Sequence, residues 1–162
     1  MNKTVAVVAA GFAFAALCTA AGAQQLPKSG SISFHTGWKD TADVNEVADK
    51  RFQGQDRAVG TTFNDKGSGP LHLGPANCSG AFFVVDGSGP NKGYCAFGDA
   101  DGDRIFTDFT GNISPTGAEG INNIIGGTGK YAGISGSGPW KCKGSGKNGE
   151  LQCAQRFDYK LP

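Results

Sequence analysis

The chain has 162 residues and carries 15 basic against 14 acidic side chains, a formal net charge of +1. That balance lacks the basic footprint of a nucleic-acid binder, so no nucleic-acid partner is expected. Its 27 glycines lie between short apolar runs, and with few helix-forming residues they favour short strands and tight turns over helices.

The first element is a targeting segment. Asn2-Lys3 supplies a short positive start, Val5 to Ala16 is almost unbroken apolar sequence, and Ala21-Gly22-Ala23 is a small-x-small pattern. This order defines a secretory signal peptide over residues 1–23, cleaved between Ala23 and Gln24. A spanning helix needs about 20 apolar residues, and the run ends before Thr19 and Gln24-Gln25. Leu17 stands before Cys18, where a lipid-modified cysteine would require a small residue. Removing those 23 residues, among them Lys3 and no acidic residue, leaves 139 with 14 basic and 14 acidic side chains. Residues 24–162 are therefore expected to form one domain, free in the periplasm or secreted from a bacterial cell, without stable membrane insertion.

Export gives the remaining cysteines a meaning. Cys78, Cys95, Cys142 and Cys153 are an even set in an oxidising compartment, which predicts two disulfides. A four-thiolate zinc site would need C-x-x-C knuckles, and none is present. No metal site is expected.

Along the mature chain, Ile32, Phe34, Thr36 and Trp38 alternate with Ser31, Ser33, His35 and Lys39. That period of two marks a half-buried strand. Thr41 to Phe52 is the one weak helical stretch, with Val44, Val47 and Ala48 on a common face. Strand-like runs follow at 59–63, 81–85, 94–97, 105–109, 121–125, 131–134 and 140–143. At the end, Leu151, Cys153, Phe157, Tyr159 and Leu161 alternate with Gln152, Arg156, Asp158 and Lys160. The expectation is an all-β domain of about eight strands, a sandwich or, preferably, a single antiparallel barrel closed by pairing of the first and last strands.

Asp86-Gly87, Asp101-Gly102 and Asn148-Gly149 are hairpin dipeptides, because glycine accepts the positive φ such turns require. A turn over 146–149 sets Cys142 opposite Cys153, within the separation a disulfide tolerates. Cys78–Cys95 is then left by elimination. A two-residue turn at Asp86-Gly87 would also oppose them, but Ser88 to Gly93 reads as loop.

Several motifs dissolve on inspection. Asp99-Ala100-Asp101-Gly102-Asp103 suggests a calcium loop, but Arg104 and Thr110 stand where an EF-hand needs Gly and Glu. A turn with exposed carboxylates is expected instead. Gly126-Gly127-Thr128-Gly129-Lys130 fails the phosphate-loop spacing and is followed by strand-like sequence, and Ala132 stands where a dinucleotide fingerprint needs its third Gly. His35 and His72 lack a partner motif, and no G-x-S-x-G is present. His35 is expected to face solvent. Lysines 141, 143 and 147 read as a solvated strand face.

The segment from Ile125 through Gly126-Gly127-Thr128-Gly129-Lys130-Tyr131 to Gly138 resembles one shared by allene-oxide-cyclase-like and dirigent-like β-barrels. There a strand ends in Gly-Gly-Thr-Gly and an aromatic begins the next. Phe63 to Gly67 and Gly98 to Phe106 look like segments of small exported bacterial proteins with that barrel. The resemblance covers about 60 to 140 and implies a β-barrel in which Tyr131 anchors the wall. It carries over no catalytic residue and implies no cofactor.

Three roles follow as expectations: a non-catalytic barrel with a small apolar ligand, a cyclase-like enzyme using the barrel cavity, or a structural or interaction protein of the cell envelope. Under the second, His35, Trp38, Asp108 and Tyr131 are the candidate residues. The catalytic residues, ligand and oligomeric state are not legible.

Overall fold

The structure, a computed structural model, describes residues 26–144 and 148–162. The expected signal peptide with its Ala23–Gln24 junction lies outside them, as do residues 145–147 of the last turn. The strands are β1 (Ser29–Ala48), β2 (Arg51–Asn64), β3 (Leu73–Val85), β4 (Gly89–Asp99), β5 (Arg104–Ser114), β6 (Gly117–Gly127), β7 (Ser135–Gly144) and β8 (Glu150–Lys160). Each pairs antiparallel with the next, and β8 pairs back with β1 from Ser29↔Lys160 to Lys39↔Glu150. The result is a closed eight-stranded barrel with no free edge along that seam.

The alternation expected for the first and last strands holds. Ile32, Phe34, Thr36 and Trp38 are buried, as are Cys153, Phe157 and Tyr159. The stretch Thr41 to Phe52 is not helical: it continues β1 and opens β2, paired from Thr41↔Arg57 to Ala48↔Arg51. Its apolar spacing reflects exposed valines at the hairpin tip, Val44 and Val47 being 53% and 48% exposed. The run 131–134 is not a strand either. Gly129–Tyr131 form a 3-10 turn that leads into β7, with Gly129 at φ 51°.

Ser88 to Gly93, which reads as loop, belongs almost wholly to a strand. Asp86 (φ 50°) and Gly87 (φ 75°) form a two-residue turn with both central residues left-handed. This is the turn geometry that matches strand twist. The register set there carries Cys78 opposite Cys95, and Cys142 likewise stands opposite Cys153. Both pairs are disulfide-bonded across adjacent strands, with Cα–Cα distances of 4.1 and 4.0 Å.

Eight strands enclose enough space for side chains to fill or for one small ligand, and this barrel divides that space through inward glycines. Trp38 is paired with Gly60, Phe82 with Gly54, Phe109 with Gly93, Trp140 with Gly120 and Tyr159 with Gly30. A methyl group at Gly93 would lie 2.7 Å from the Phe109 ring, and one at Gly120 would lie 2.8 Å from Trp140. Each ring therefore occupies the volume its cross-strand partner lacks.

One end of the barrel is solid. Phe34, Phe97 and Phe157 pack edge to face with centroids 5.0–5.5 Å apart, and Leu71, Ile105 and Ile134 are buried around them. Tyr131 is fully buried there; its Oη donates to Asp99 Oδ2 (2.8 Å) and accepts from the Leu71 N–H (3.1 Å).

Gly111→Ala, which drives a methyl group into Trp140 and the Glu119 carbonyl, is expected to cost about 1–3 kcal/mol through overpacking, read as a lower urea midpoint at unchanged m-value. Tyr131→Phe strands the buried Leu71 N–H and takes from Asp99 Oδ2 one of its two partners, leaving it Lys130. A loss of about 1–3 kcal/mol is expected in the same measurement.

Candidate functional site

Beyond the aromatic cluster the interior turns polar, then empty. Thr107 Oγ1 donates to Asn122 Oδ1 (3.1 Å), Asn122 Nδ2 to Gln155 Oε1 (3.3 Å), and Gln155 Nε2 to Thr36 Oγ1 (2.7 Å). All four residues are buried. This chain of bonds crosses from β5 through β6 and β8 to β1, and Asn122 and Gln155 form part of a cavity floor with Phe97. The cavity holds about 470 Å³ and occupies the end of the barrel bearing the β1–β2, β3–β4, β5–β6 and β7–β8 turns.

Its walls are mostly apolar. Trp38, Phe82, Phe109 and Trp140 line it, and both disulfides face it from opposite sides, on β3–β4 and on β7–β8. Phe109 meets Trp140 edge to face, with centroids 5.8 Å apart. Two carboxylates interrupt this lining, Asp40 on β1 and Asp56 on β2. Asp40 pairs with Ala58 and Asp56 with Ala42, so the two acids are diagonal neighbours on one face of the ladder.

Burial and then the neighbouring Asp56 charge push the Asp40 pKa from 3.8 up to about 6, partly offset by the Thr41 backbone N–H. Burial also raises Asp56, against a bond from its own backbone. Asp40 Oδ1, Asn91 Oδ1 and Trp140 Nε1 are buried without a hydrogen-bond partner in the protein, and all three residues line the cavity. Among the described residues no lysine or arginine pairs with Asp40 or Asp56.

Of the candidates for a cavity enzyme, only Trp38 reaches this space. His35 is on the outer face, stacked on Phe63 with its Nδ1 3.0 Å from Asp65 Oδ1. Asp108 accepts from Asn123 Nδ2 at 2.7 Å on the exterior. Tyr131 plugs the opposite end. Asp40, Asp56 and Asn91 were not legible as site residues. The available signal was the phase of β1, since Trp38-Lys39-Asp40 continues an alternation that places Asp40 inside.

The two glycine and aspartate motifs answer each other. Lys130 Nζ lies 2.7 Å from both Asp99 Oδ2 and Asp101 Oδ2, and the Lys130 N–H donates to Asp103 Oδ2 (3.1 Å). Burial alone would lower the Lys130 pKa, but its bonds to Asp101 and Asp99 outweigh this and raise it. Asp99 is thus not the exposed turn carboxylate expected, being only 3% exposed beneath Lys130 and Tyr131. On the outer wall Lys141 pairs with Glu119 at 2.8 Å.

Fold and site together define a class: a disulfide-stapled, up-and-down eight-stranded barrel, packed at one end and hollow at the other. A crystal structure similar to this fold is that of a protein of unknown function from the DUF3224 family of Shewanella oneidensis MR-1. It shares 13% identity at a TM-score of 0.54 and covers 82% of this chain and 98% of its own. At that identity the likeness speaks for the fold alone. No family profile and no curated protein matches the chain. The eight-stranded barrel fits the resemblance drawn from residues 125–138, while nothing in the comparisons names a cyclase-like or dirigent-like family.

A raised carboxylate pKa means that the folded chain binds this proton more tightly than the unfolded chain does. Asp40 therefore lowers stability as pH rises from about 4 to about 6. Asp40→Asn is expected to raise Tm relative to the parent at about pH 7.5 and much less at about pH 4. Equal offsets at both pH values in paired thermal melts would contradict this.

Proposed function

We propose that the protein is an exported binding protein whose barrel holds a small, largely apolar ligand in its open half. The observation that carries this reading is the cavity: about 470 Å³, walled by aromatic rings and cystines, with a few polar groups converging on it. That volume and mixture are typical of small-molecule sites, and an eight-stranded barrel is wide enough to hold one small ligand. The two disulfides point to an oxidising, non-cytoplasmic compartment, and the signal-like residues 1–23 make the periplasm or secretion the proposed destination. Outward positions of β1 and β8 such as Ser31, Ser33, Lys39, Glu150, Arg156 and Lys160 are polar or charged. A lipid-facing barrel has the reverse pattern, which supports a mature chain that stays in water.

One observation favours a second reading, a cyclase-like enzyme. A carboxyl titrating near 6 in an apolar cavity is suited to acid–base work at neutral pH. Asp40 then replaces His35, Asp108 and Tyr131 as its candidate residue.

The binding reading is tested with the neutral apolar dye N-phenyl-1-naphthylamine. Saturable fluorescence enhancement at one dye per barrel is expected, weakened about tenfold or more by Ala118→Trp, which fills the cavity from its wall. Dye uptake that ignores this substitution would count against an internal site, with near-UV circular dichroism reporting that the variant is folded.

A further inference from the structure

We infer that the ligand carries a protonated amine seated at Asp40 and Asp56, with its body packed among Trp38, Phe82, Phe109 and Trp140. The inference rests on the binding reading above and narrows its ligand class. Two partly buried carboxylates share one mostly apolar cavity, and no basic side chain among the described residues neutralises either. An anionic ligand would add a third negative charge there. A neutral one would leave both carboxylates unpaired in surroundings that disfavour isolated charge. An ammonium group corrects this imbalance, and the surrounding rings offer it the negative faces that attract cations.

The unpartnered polar atoms agree in kind. Asp40 Oδ1 and Asn91 Oδ1 are acceptors without donors, and both residues line the cavity. A protonated amine brings up to three N–H donors. Independently of the acids, the Trp140 indole is 7% exposed and lines the same cavity, and its Nε1–H has no acceptor. Buried donors of this kind find a partner in a complete structure. The ligand body therefore also carries an acceptor oxygen, and the class is an aryl- or alkyl-ammonium compound with a hydroxyl, ether or carbonyl group.

Three probes of nearly equal size separate charge from shape: tyramine, its neutral analogue 2-(4-hydroxyphenyl)ethanol, and the anion 3-(4-hydroxyphenyl)propanoate. Calorimetric titration, backed by displacement of N-phenyl-1-naphthylamine, is expected to rank tyramine first by about tenfold or more and the anion last. Asp40→Asn/Asp56→Asn removes the preference for the amine. Asp40→Glu retains it, and Asp108→Asn on the outer wall leaves it intact. If the double variant does not fold, Asp56→Asn alone against Asp40→Glu carries the comparison. Equal affinity for amine and alcohol, or a preference that survives loss of the carboxylates, overturns the cationic ligand while dye binding keeps the cavity reading standing. Failure of every probe, the dye included, overturns both.

Discussion

The space left by inward-facing glycines is the constraint on which the rest of the barrel depends. Closing eight strands sets the width of the interior, and that width does not admit a full ring of large side chains at each level. The chain resolves this by setting an aromatic on one strand against a glycine on the next: Trp38 against Gly60, Phe82 against Gly54, Phe109 against Gly93, Trp140 against Gly120. Glycine weakens a strand through its unfolded-state entropy, so these positions carry a cost. Ring burial and the two cross-strand disulfides offset it, the latter by about 2–4 kcal/mol each.

The same device explains why the barrel has two unlike halves. In the closed half, rings from β1, β4 and β8 meet one another, and Phe34, Phe97 and Phe157 interlock. Tyr131 is held over that cluster by Asp99, which Lys130 also engages. In the open half each ring lies against the wall over its own glycine or its neighbour's, so the rings line the space without filling it. The Thr107–Asn122–Gln155–Thr36 chain sits between the two regimes. Fully bonded, it closes the packed half with polar groups already satisfied and gives the hollow half a rigid floor.

Legibility in the sequence followed the glycines too. β1 and β8 could be read because their inward positions are large and apolar, so the period of two survives. Gln155 interrupts that period and turns inward nonetheless, as a member of the polar chain. Where glycine takes the inward position the hydrophobic phase is erased, which is why Ser88 to Gly93 resembles a loop although Gly93 sits opposite Phe109 within β4. The Cys142–Cys153 pair was legible from turn length alone, and Cys78–Cys95 would have been had the Asp86-Gly87 turn outweighed composition. The Lys130 contact with Asp99 and Asp101 joins residues 29 to 31 positions apart across the closed end, and no local pattern announces such a pairing.

Asp40 and Asp56 were hidden for a different reason. Hydrophobic patterning finds what stabilises a fold, and these carboxylates do not: burial raises both pKa values, and each lacks a basic partner among the described residues. The closed end shows the contrast, for there Asp99 is more deeply buried yet meets Tyr131 and Lys130 at 2.8 and 2.7 Å. One chain thus contains buried acid that is fully compensated and partly buried acid that is not. The uncompensated pair lies where the barrel is hollow, in the same cavity as a tryptophan whose buried indole N–H is also unpaired. Groups that oppose folding persist where something outside the chain completes them, and here the space, the aromatic walls and the sign of the charge specify what that partner must be.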